Sequence, residues 1–301
     1  MKLHAKVVDE LVVRPGDPAG LHRRDTRVPA TRLWDDGVAG DERELAQSDL
    51  EVFRAELASA QELLYASDRY AVLVVLQALD AGGKDGTIKH VMSGVNPQGC
   101  AVVSFKAPSA EELGHDFLWR CVKALPDRGR IGIFNRSYYE DVLVARVHPE
   151  LVERLRLPKE AGLGDELWAR RYEDINAFEH HLHRNATRVV KLFLHVSKAE
   201  QRRRLLERLE DPSKHWKFSE ADLAERAYFD DYQRAYDATL SATSTPWAPW
   251  YVVPADHKPV MRALVGALLV HTVRELDLRL PEPDDATRAS IDAARRALLA
   301  E

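Results

Sequence analysis

Five short continuous apolar runs occupy the middle of the chain: AVLVVLQAL (71–79), AVVSFKAP (101–108), IGIFN (131–135), VVKLFLHVS (189–197) and PWYVVPA (249–255). A strand with one wet face alternates apolar and polar positions, whereas an unbroken run is what a parallel strand covered on both faces requires. Helix-like segments separate the runs. Ser109-x-x-Glu112, Ser137-x-x-Glu140 and Ser197-x-x-Glu200 each follow a run and fit the capping box that opens a helix. The pattern therefore predicts repeated βαβ units, an α/β class with a parallel sheet between helices. Upstream, residues 14–37 are rich in Pro, Gly and charge and read as irregular, and LAQSDLEVFRAELASAQELLYAS (45–67) reads as a helix. No repeat of 20 to 50 residues and no low-complexity tract interrupts the pattern.

At 301 residues and 45% hydrophobic, the chain is long enough to bury a large core. No apolar run approaches the length of a membrane span, and Lys6, Asp9 and Glu10 break the N-terminus where a signal peptide needs its apolar stretch. A cytoplasmic protein without a membrane partner is expected. A net charge of −5 argues against a general nucleic-acid binder, so any polyanion must meet a local basic patch. Cys100 and Cys121 lie in apolar contexts without metal-ligand spacing and read as buried thiols. The histidines of HHLHRN (180–185) read as surface or interface residues of an amphipathic helix.

The first run leads into LQALDAGGKDGTIKH (76–90), a variation on the phosphate-binding loop G-x-x-x-x-G-K-S/T, with Ala78 at the first glycine and Asp85 at the hydroxyl position. A strand, a glycine-rich turn and a helix from about Thr87 would aim backbone N–H groups and a helix dipole at one point. That arrangement suits a phosphate, and Lys84 adds a mobile charge. Gly82, Gly83, Lys84, Asp85, Gly86 and Thr87 are the candidate phosphate-binding residues. Carboxylates beside a phosphate need cations between them; Asp80, at the strand end, is placed either to ligate Mg²⁺ or to hydrogen-bond the turn.

A second motif, RIGIFNRSYYEDVLVARVH (130–148), ends the third run. Asn135 stands where phosphate-loop enzymes place an Asp that helps hold Mg²⁺. Glu140 either restores that carboxylate or completes a capping box with Ser137, and the residues alone leave both readings open. Arg136, at a strand's carboxyl end beside the crevice where α/β proteins bind ligands, reads as an anion contact.

Together these residues closely resemble the family-2 polyphosphate kinases, through DAGGKDGT (80–87), FNRSYYEDVLVARVH (134–148), TSTPWAPWYVVPADHKPVMR (243–262) and the lid-like HWKFSEADL (215–223), in the same order over roughly residues 50 to 275. The resemblance implies a three-layer α/β/α P-loop kinase-like fold. Within it lie an N-terminal extension (1–66), a catalytic domain (67–278) with a helical lid at about 211–243, and a C-terminal helix (279–301). It implies Mg²⁺-dependent, reversible transfer of the terminal phosphate of inorganic polyphosphate to AMP or ADP, with Mn²⁺ as an alternative ion and guanine nucleotides as further acceptors. Asp80 with Asn135 and Glu140 would hold the metal, and Lys84 and Arg136 would bind the transferring phosphoryl group, which makes Asp80, Lys84, Arg136 and Glu140 the implied catalytic set. Asn135 in place of Asp resembles the subgroup that takes both mono- and diphosphates, a class III-like subgroup. A homo-oligomer, dimer or tetramer, is also implied.

A polyphosphate chain needs a track beyond the transferred group. Lys106, Arg120, Arg146, Lys214 and Lys217 are candidates, each with a solvated surface charge as its alternative. The triplet Arg202, Arg203 and Arg204 spreads around a helix and reads as a solvated face. Of the lid aromatics, Tyr228, Phe229, Tyr232 and Tyr236 read first as packing against the sheet domain. An ATP-dependent nucleoside monophosphate kinase would share the loop and lid and differ in its donor; a non-catalytic nucleotide-binding regulator would lack the metal and Arg136 constellation.

Overall fold

The computed structural model describes residues 5–28, 41–155, 157–158 and 164–301; parts of the irregular 14–37 segment and of the N-terminal extension lie outside them. The helices are α1 (Ala5–Leu11), α2 (Glu42–Ser67), α3 (Lys84–Val91), α4 (Trp119–Val122), α5 (Glu140–Val147), α6 (Glu150–Glu153), α7 (Asp165–Arg184), α8 (Lys198–Glu210), α9 (Glu220–Glu225), α10 (Phe229–Thr243), α11 (Lys258–Arg274) and α12 (Asp285–Leu298). The strands are β1 (Val12–Val13), β2 (Ala71–Ala78), β3 (Cys100–Ser104), β4 (Ile131–Asn135), β5 (Thr187–His195) and β6 (Trp250–Pro254).

Among the described residues these strands form one sheet in the order β1-β6-β5-β2-β4-β3. The strands β3, β4, β2, β5 and β6 run parallel, in line with the unbroken apolar runs. Helices α2 and α11 pack together with α3 on one side of the sheet, and α5, α7 and α10 pack together on the other, which gives three layers. Every residue of β2 and β4 is buried, so the centre of the sheet is also the centre of the core.

Three details depart from the sequence pattern. The irregular start contributes β1, which pairs antiparallel with β6 through Val12 opposite Tyr251 and Val13 opposite Trp250, so the sheet is mostly rather than wholly parallel. The run at 101–108 forms the other edge, where Ala101, Val102 and Ser104 are exposed. An apolar run signals a strand, but its place in the sheet depends on which strands find it as a neighbour. Helix α3 begins at Lys84 rather than near Thr87, because Gly83 reaches the left-handed φ of 106° that lets the chain turn directly into the helix.

Only one of the three predicted capping boxes closes reciprocally. Ser109 N–H donates to Glu112 Oε2 (2.7 Å) and Glu112 N–H to Ser109 Oγ (3.2 Å). Ser197 Oγ accepts from Glu200 N–H (3.1 Å), while the Glu200 carboxylate turns to Arg203 and Arg204. At Ser137 the box is not made, for a reason that belongs to the site.

Candidate active site

Strands β2 and β4 lie side by side in parallel, with Leu76 opposite Asn135, so their carboxyl ends deliver Asp80 and Arg136 to the same place. There a cavity of about 720 Å³ is lined by the loop Asp80–Gly86, by Ser104–Ala107 after β3, by Asn135 and Arg136, and by residues of α8, α11 and the 211–222 segment. Among the described residues nine cationic side chains line it against four carboxylates. The chain is acidic overall, yet this crevice is basic, which is the local patch that a polyanion requires.

The loop is built by close approach. A Cβ on Gly82 would sit 2.6 Å from Ala78 Cβ and 2.7 Å from the Leu79 carbonyl oxygen, so no side chain fits there. Gly83 caps α3 in a left-handed conformation, and Lys84 starts the helix. The Lys84 ammonium donates to the Ala78 carbonyl (2.7 Å). Burial lowers its pKa, as does the neighbouring Arg136 charge, while Asp80, Glu140 and Asp85 oppose the shift. Thr87 does not line the cavity: it is buried, and its hydroxyl donates back to the Gly83 carbonyl (3.0 Å), one helical turn behind it. The structure thus departs from the sequence placement of Thr87 among phosphate contacts, because a residue four positions into the helix points back along it.

Arg136 adopts a left-handed φ of 64°, a conformation that costs a non-glycine residue about 1–3 kcal/mol. Its guanidinium lies 2.8 Å from Asp80 Oδ1 and 3.5 Å from Glu140 Oε2, bridging both carboxylates. Glu140 sits behind it, lining a small recess with Asp80, Tyr232 and Tyr236 rather than the large cavity, and burial raises its carboxyl pKa. This explains the missing capping box. The Gln77 amide, oriented to satisfy both ends, accepts from Ser137 N–H (3.2 Å) and donates to Glu140 Oε1 (2.9 Å). Ser137 Oγ accepts from Tyr139 N–H instead (3.2 Å).

Mg²⁺ is held by hard oxygens, commonly one or two carboxylates completed by substrate phosphates and water. Asp80 lines the cavity, and Asn135 Nδ2 donates to Asp85 Oδ1 (2.8 Å) and Ser104 Oγ (3.3 Å), which leaves the buried Asn135 Oδ1 with no hydrogen-bond partner. These two oxygens suit such an ion. Among the described residues no group of three or more His, Cys, Asp or Glu converges as a self-sufficient metal cage.

The segment after β4 is anchored by a buried cluster. Tyr138 and Tyr139 both donate to Glu179 Oε1 (2.8 and 2.9 Å), and Lys191 Nζ contacts Glu179 Oε2 (2.6 Å), Tyr139 Oη (2.9 Å) and the Thr243 carbonyl (2.6 Å). Burial raises the Glu179 carboxyl and lowers the Lys191 amine, and their mutual contact works against both shifts. Arg136 and Glu140 flank this anchored pair, so the cluster holds the backbone that presents them.

Of the proposed track residues, Lys106, Lys214 and Lys217 line the cavity, with Lys217 Nζ 3.8 Å from Asp85 Oδ2. Arg120 borders it, donating to the Lys106 carbonyl (2.8 Å) over the Phe105 ring. Arg146 does not reach it; the side chain donates to Tyr172 Oη (2.9 Å) between α5 and α7. Sequence reasoning missed Arg204. The solvated-face reading holds for neither its burial nor its partners: it is 5% exposed and donates to the carbonyls of Gly82 (2.8 Å) and Ala255 and to Glu200 Oε1 (2.7 Å). Arg208, Lys258 and Arg262, also unforeseen, complete the cationic wall. The i,i+4 spacing of Arg204 and Arg208 on α8 was the available signal, since it puts both on one face.

Of the lid aromatics, Phe229, Tyr232 and Tyr236 are buried as packing residues, Tyr228 sits edge-on to His148, and Trp216 is 78% exposed. His180 stacks on Trp247, and no helix among the described residues is long and apolar enough to cross a membrane.

Comparison with known proteins agrees with this architecture. Residues 40–280 match the family described as Polyphosphate kinase 2 (PPK2). The ADP-polyphosphate phosphotransferase of Rhodopseudomonas palustris is 54% identical over 243 residues, 81% of this chain and 84% of that protein. The AMP/ADP-polyphosphate phosphotransferase of Meiothermus ruber is 46% identical over 245 residues, 81% of this chain and 87% of that protein. The crystal structure of polyphosphate kinase 2 from Arthrobacter aurescens TC1 superposes with a TM-score of 0.85 at 39% identity, covering 100% of this chain and 98% of that one. The three-layer sheet is accordingly a P-loop kinase-like fold, and with its family-matching region spanning the loop, the Arg136 segment and the cationic cavity, this chain belongs to the polyphosphate kinase 2 family.

Proposed function

We propose that the protein transfers the terminal phosphoryl group of inorganic polyphosphate to AMP or ADP, forming ADP or ATP, reversibly and with Mg²⁺. The observation that carries this reading is the basic cavity around a glycine-rich loop at the carboxyl ends of β2 and β4. Its family membership and the activities named for its relatives support the same donor and acceptors.

In the reaction an oxygen of the acceptor's last phosphate bonds to the terminal phosphorus of the donor. The bridging P–O bond breaks, and the shortened chain departs with the electron pair. Such transfers pass through a loose transition state whose charge spreads over equatorial oxygens, so positioned cations do most of the catalytic work. Lys84 and Arg136 would meet the transferring group, released from Ala78 and Asp80 by the stronger pull of phosphate oxygens. Asp80 and Asn135 would hold Mg²⁺, which would neutralise phosphate charge. Glu140 would fix Arg136 from behind. Lys106, Lys214 and Lys217, with Arg208, Lys258 and Arg262, would carry the rest of the donor chain. Closure of the 211–243 segment would exclude water that would otherwise hydrolyse the donor.

The test is nucleotide conversion by the purified protein with Mg²⁺, given AMP or ADP and either polyphosphate or ATP as donor. Polyphosphate-dependent formation of ADP and ATP is expected. Conversion of ADP alone would restrict the acceptor range, and conversion with ATP as the only competent donor would make this a nucleoside monophosphate kinase.

A further inference from the structure

We propose that Gln201 is a positioning residue that couples the 211–243 segment to the phosphate-binding loop, an inference that rests on the closure of that segment proposed above. Gln201 lies in the first turn of α8 and is 3% exposed. Both ends of its amide reach elements distant in sequence. Nε2 donates to the Asp80 carbonyl (3.1 Å), and Oε1 accepts from Nη1 of Arg226 (2.7 Å), the residue that ends α9. Arg226 also donates to the Lys198 carbonyl (2.9 Å), which fixes its guanidinium against the start of α8.

The amide serves both partners in one orientation only. A guanidinium offers donors and a carbonyl accepts, so the oxygen must face Arg226 and the nitrogen Asp80. The path continues beyond the loop, because Asp80 Oδ1 accepts from Arg136 Nη2 (2.8 Å). An unbroken series of hydrogen bonds therefore runs from Arg226 through Gln201 and Asp80 to Arg136, the arginine proposed to meet the transferring group. Arg204, one turn along α8, donates to the carbonyls of Ala81 (3.2 Å) and Gly82 (2.8 Å). Three successive loop carbonyls are thus turned toward α8. In a trans peptide the N–H points opposite to the carbonyl, so the same contacts set where the loop N–H groups point.

The two α8 residues divide the task. Arg204 holds the loop from the body of the protein, with Glu200 and the Ala255 carbonyl as its other partners. Gln201 instead takes its second partner from the 211–243 segment. When that segment opens, Arg226 leaves with it, and the buried amide oxygen loses the donor that fixes its orientation. Rotation of the amide then releases the Asp80 carbonyl. Closure restores the series, so Asp80 and Arg136 are set in place once water is excluded.

Contacts in series transmit coupling only if their members act as a unit, and a double-mutant cycle tests that. Arg226→Met removes the segment's end of the series, and Gln201→Met removes the join. Gln201→Glu keeps an acceptor for Arg226 and loses the donor to Asp80. Each should lower kcat for polyphosphate-dependent ADP formation roughly 10- to 100-fold, the usual loss when the group behind a site residue is removed. The Arg226→Met, Gln201→Met double variant should be no slower than the slower single one, and phosphate lost to water per nucleotide phosphorylated should rise in all of them. Amide hydrogen exchange of Arg226→Met without substrate should quicken across residues 80–83. Losses that multiply in the double variant, wild-type turnover in Gln201→Glu, or unchanged exchange at 80–83 would overturn the proposal. The exchange measurement needs only Arg226→Met, a half-buried site, so it does not depend on the folding of the Gln201 variants. It also needs no turnover: a wild-type protein that leaves polyphosphate unused would refute the functional reading, while exchange alone would decide the coupling.

Discussion

The guanidinium of Arg204 donates to the carbonyl of Gly82 at 2.8 Å, so a residue of α8, 122 positions downstream, clamps the glycine-rich loop. The same side chain reaches Glu200 and the carbonyl of Ala255 and is almost wholly buried. Arg204→Ala would leave the carbonyls of Gly82 and Ala255 without this donor, while Glu200 keeps Arg203 as a partner. A loss of about 1–3 kcal/mol for each stranded carbonyl is expected, read as a lowered denaturation midpoint. Arg204→Lys should recover only part of it, because a lysine cannot reproduce the planar fork. An unchanged midpoint in Arg204→Ala would show that the loop stands without its clamp.

Lys84→Ala should fold normally, since the lysine sits on the cavity wall and its one direct hydrogen bond is to the Ala78 carbonyl. Turnover should fall by roughly 10²–10³, the usual cost of removing one preorganised contact to transition-state charge. A variant with wild-type turnover would remove Lys84 from the phosphoryl-transfer site.

The Glu179–Lys191 pair, both side chains 0% exposed, predicts an asymmetry. Lys191→Met alone should cost about 3–5 kcal/mol by leaving a buried carboxylate uncompensated. Adding Glu179→Leu removes that charge and should restore part of the stability, leaving the hydroxyls of Tyr138 and Tyr139 and the Thr243 carbonyl without these partners. Chemical denaturation of the single and double variants measures the difference. A double variant no more stable than Lys191→Met would show that the charge is not what destabilises the single one.

A ligand held by many surface cations is screened by salt. Affinity for long polyphosphate should fall by at least about tenfold as salt rises from about 0.05 M to about 0.2 M. Salt-insensitive binding would mean that few of the nine cations touch the chain.

Burial raises the Cys100 thiol to about 11 and the Cys121 thiol to about 12. A raised pKa leaves less thiolate at a given pH, so near pH 8 Cys100 should resist iodoacetamide by about 100-fold and Cys121 by about 1,000-fold relative to the unfolded chain, and the difference should shrink as pH approaches 11. Rapid labelling of the folded protein at about pH 8 would contradict it.

Legibility differed from residue to residue for physical reasons. Lys84 and Arg136 could be placed at the crevice because Arg136 follows directly on β4 and Lys84 follows β2 through the glycine-rich loop, and a parallel strand's carboxyl end faces the ligand crevice whatever its neighbours are. Glu140 was not, because a metal-holding carboxylate and a capping box both admit a glutamate at that position. Gln77, 60 residues from Ser137 in sequence, excludes the box by taking the amide hydrogen it would have used. Arg146 and Arg204 were misjudged in opposite directions. Charge type alone does not say which way a helix turns, and the neighbours that turn α5 and α8 lie far along the chain.

The sequence by itself determined the α/β class, five parallel strands, the glycine-rich loop and the strand-end residues, because these depend on period, run length and local backbone geometry. The tertiary structure alone decided the order of the sheet, the antiparallel β1 at its edge, and the burial of Arg204 and the Glu179–Lys191 cluster. Each of these joins residues that are distant in sequence, and the energy that fixes them exists once burial has removed the water that would otherwise satisfy their charges.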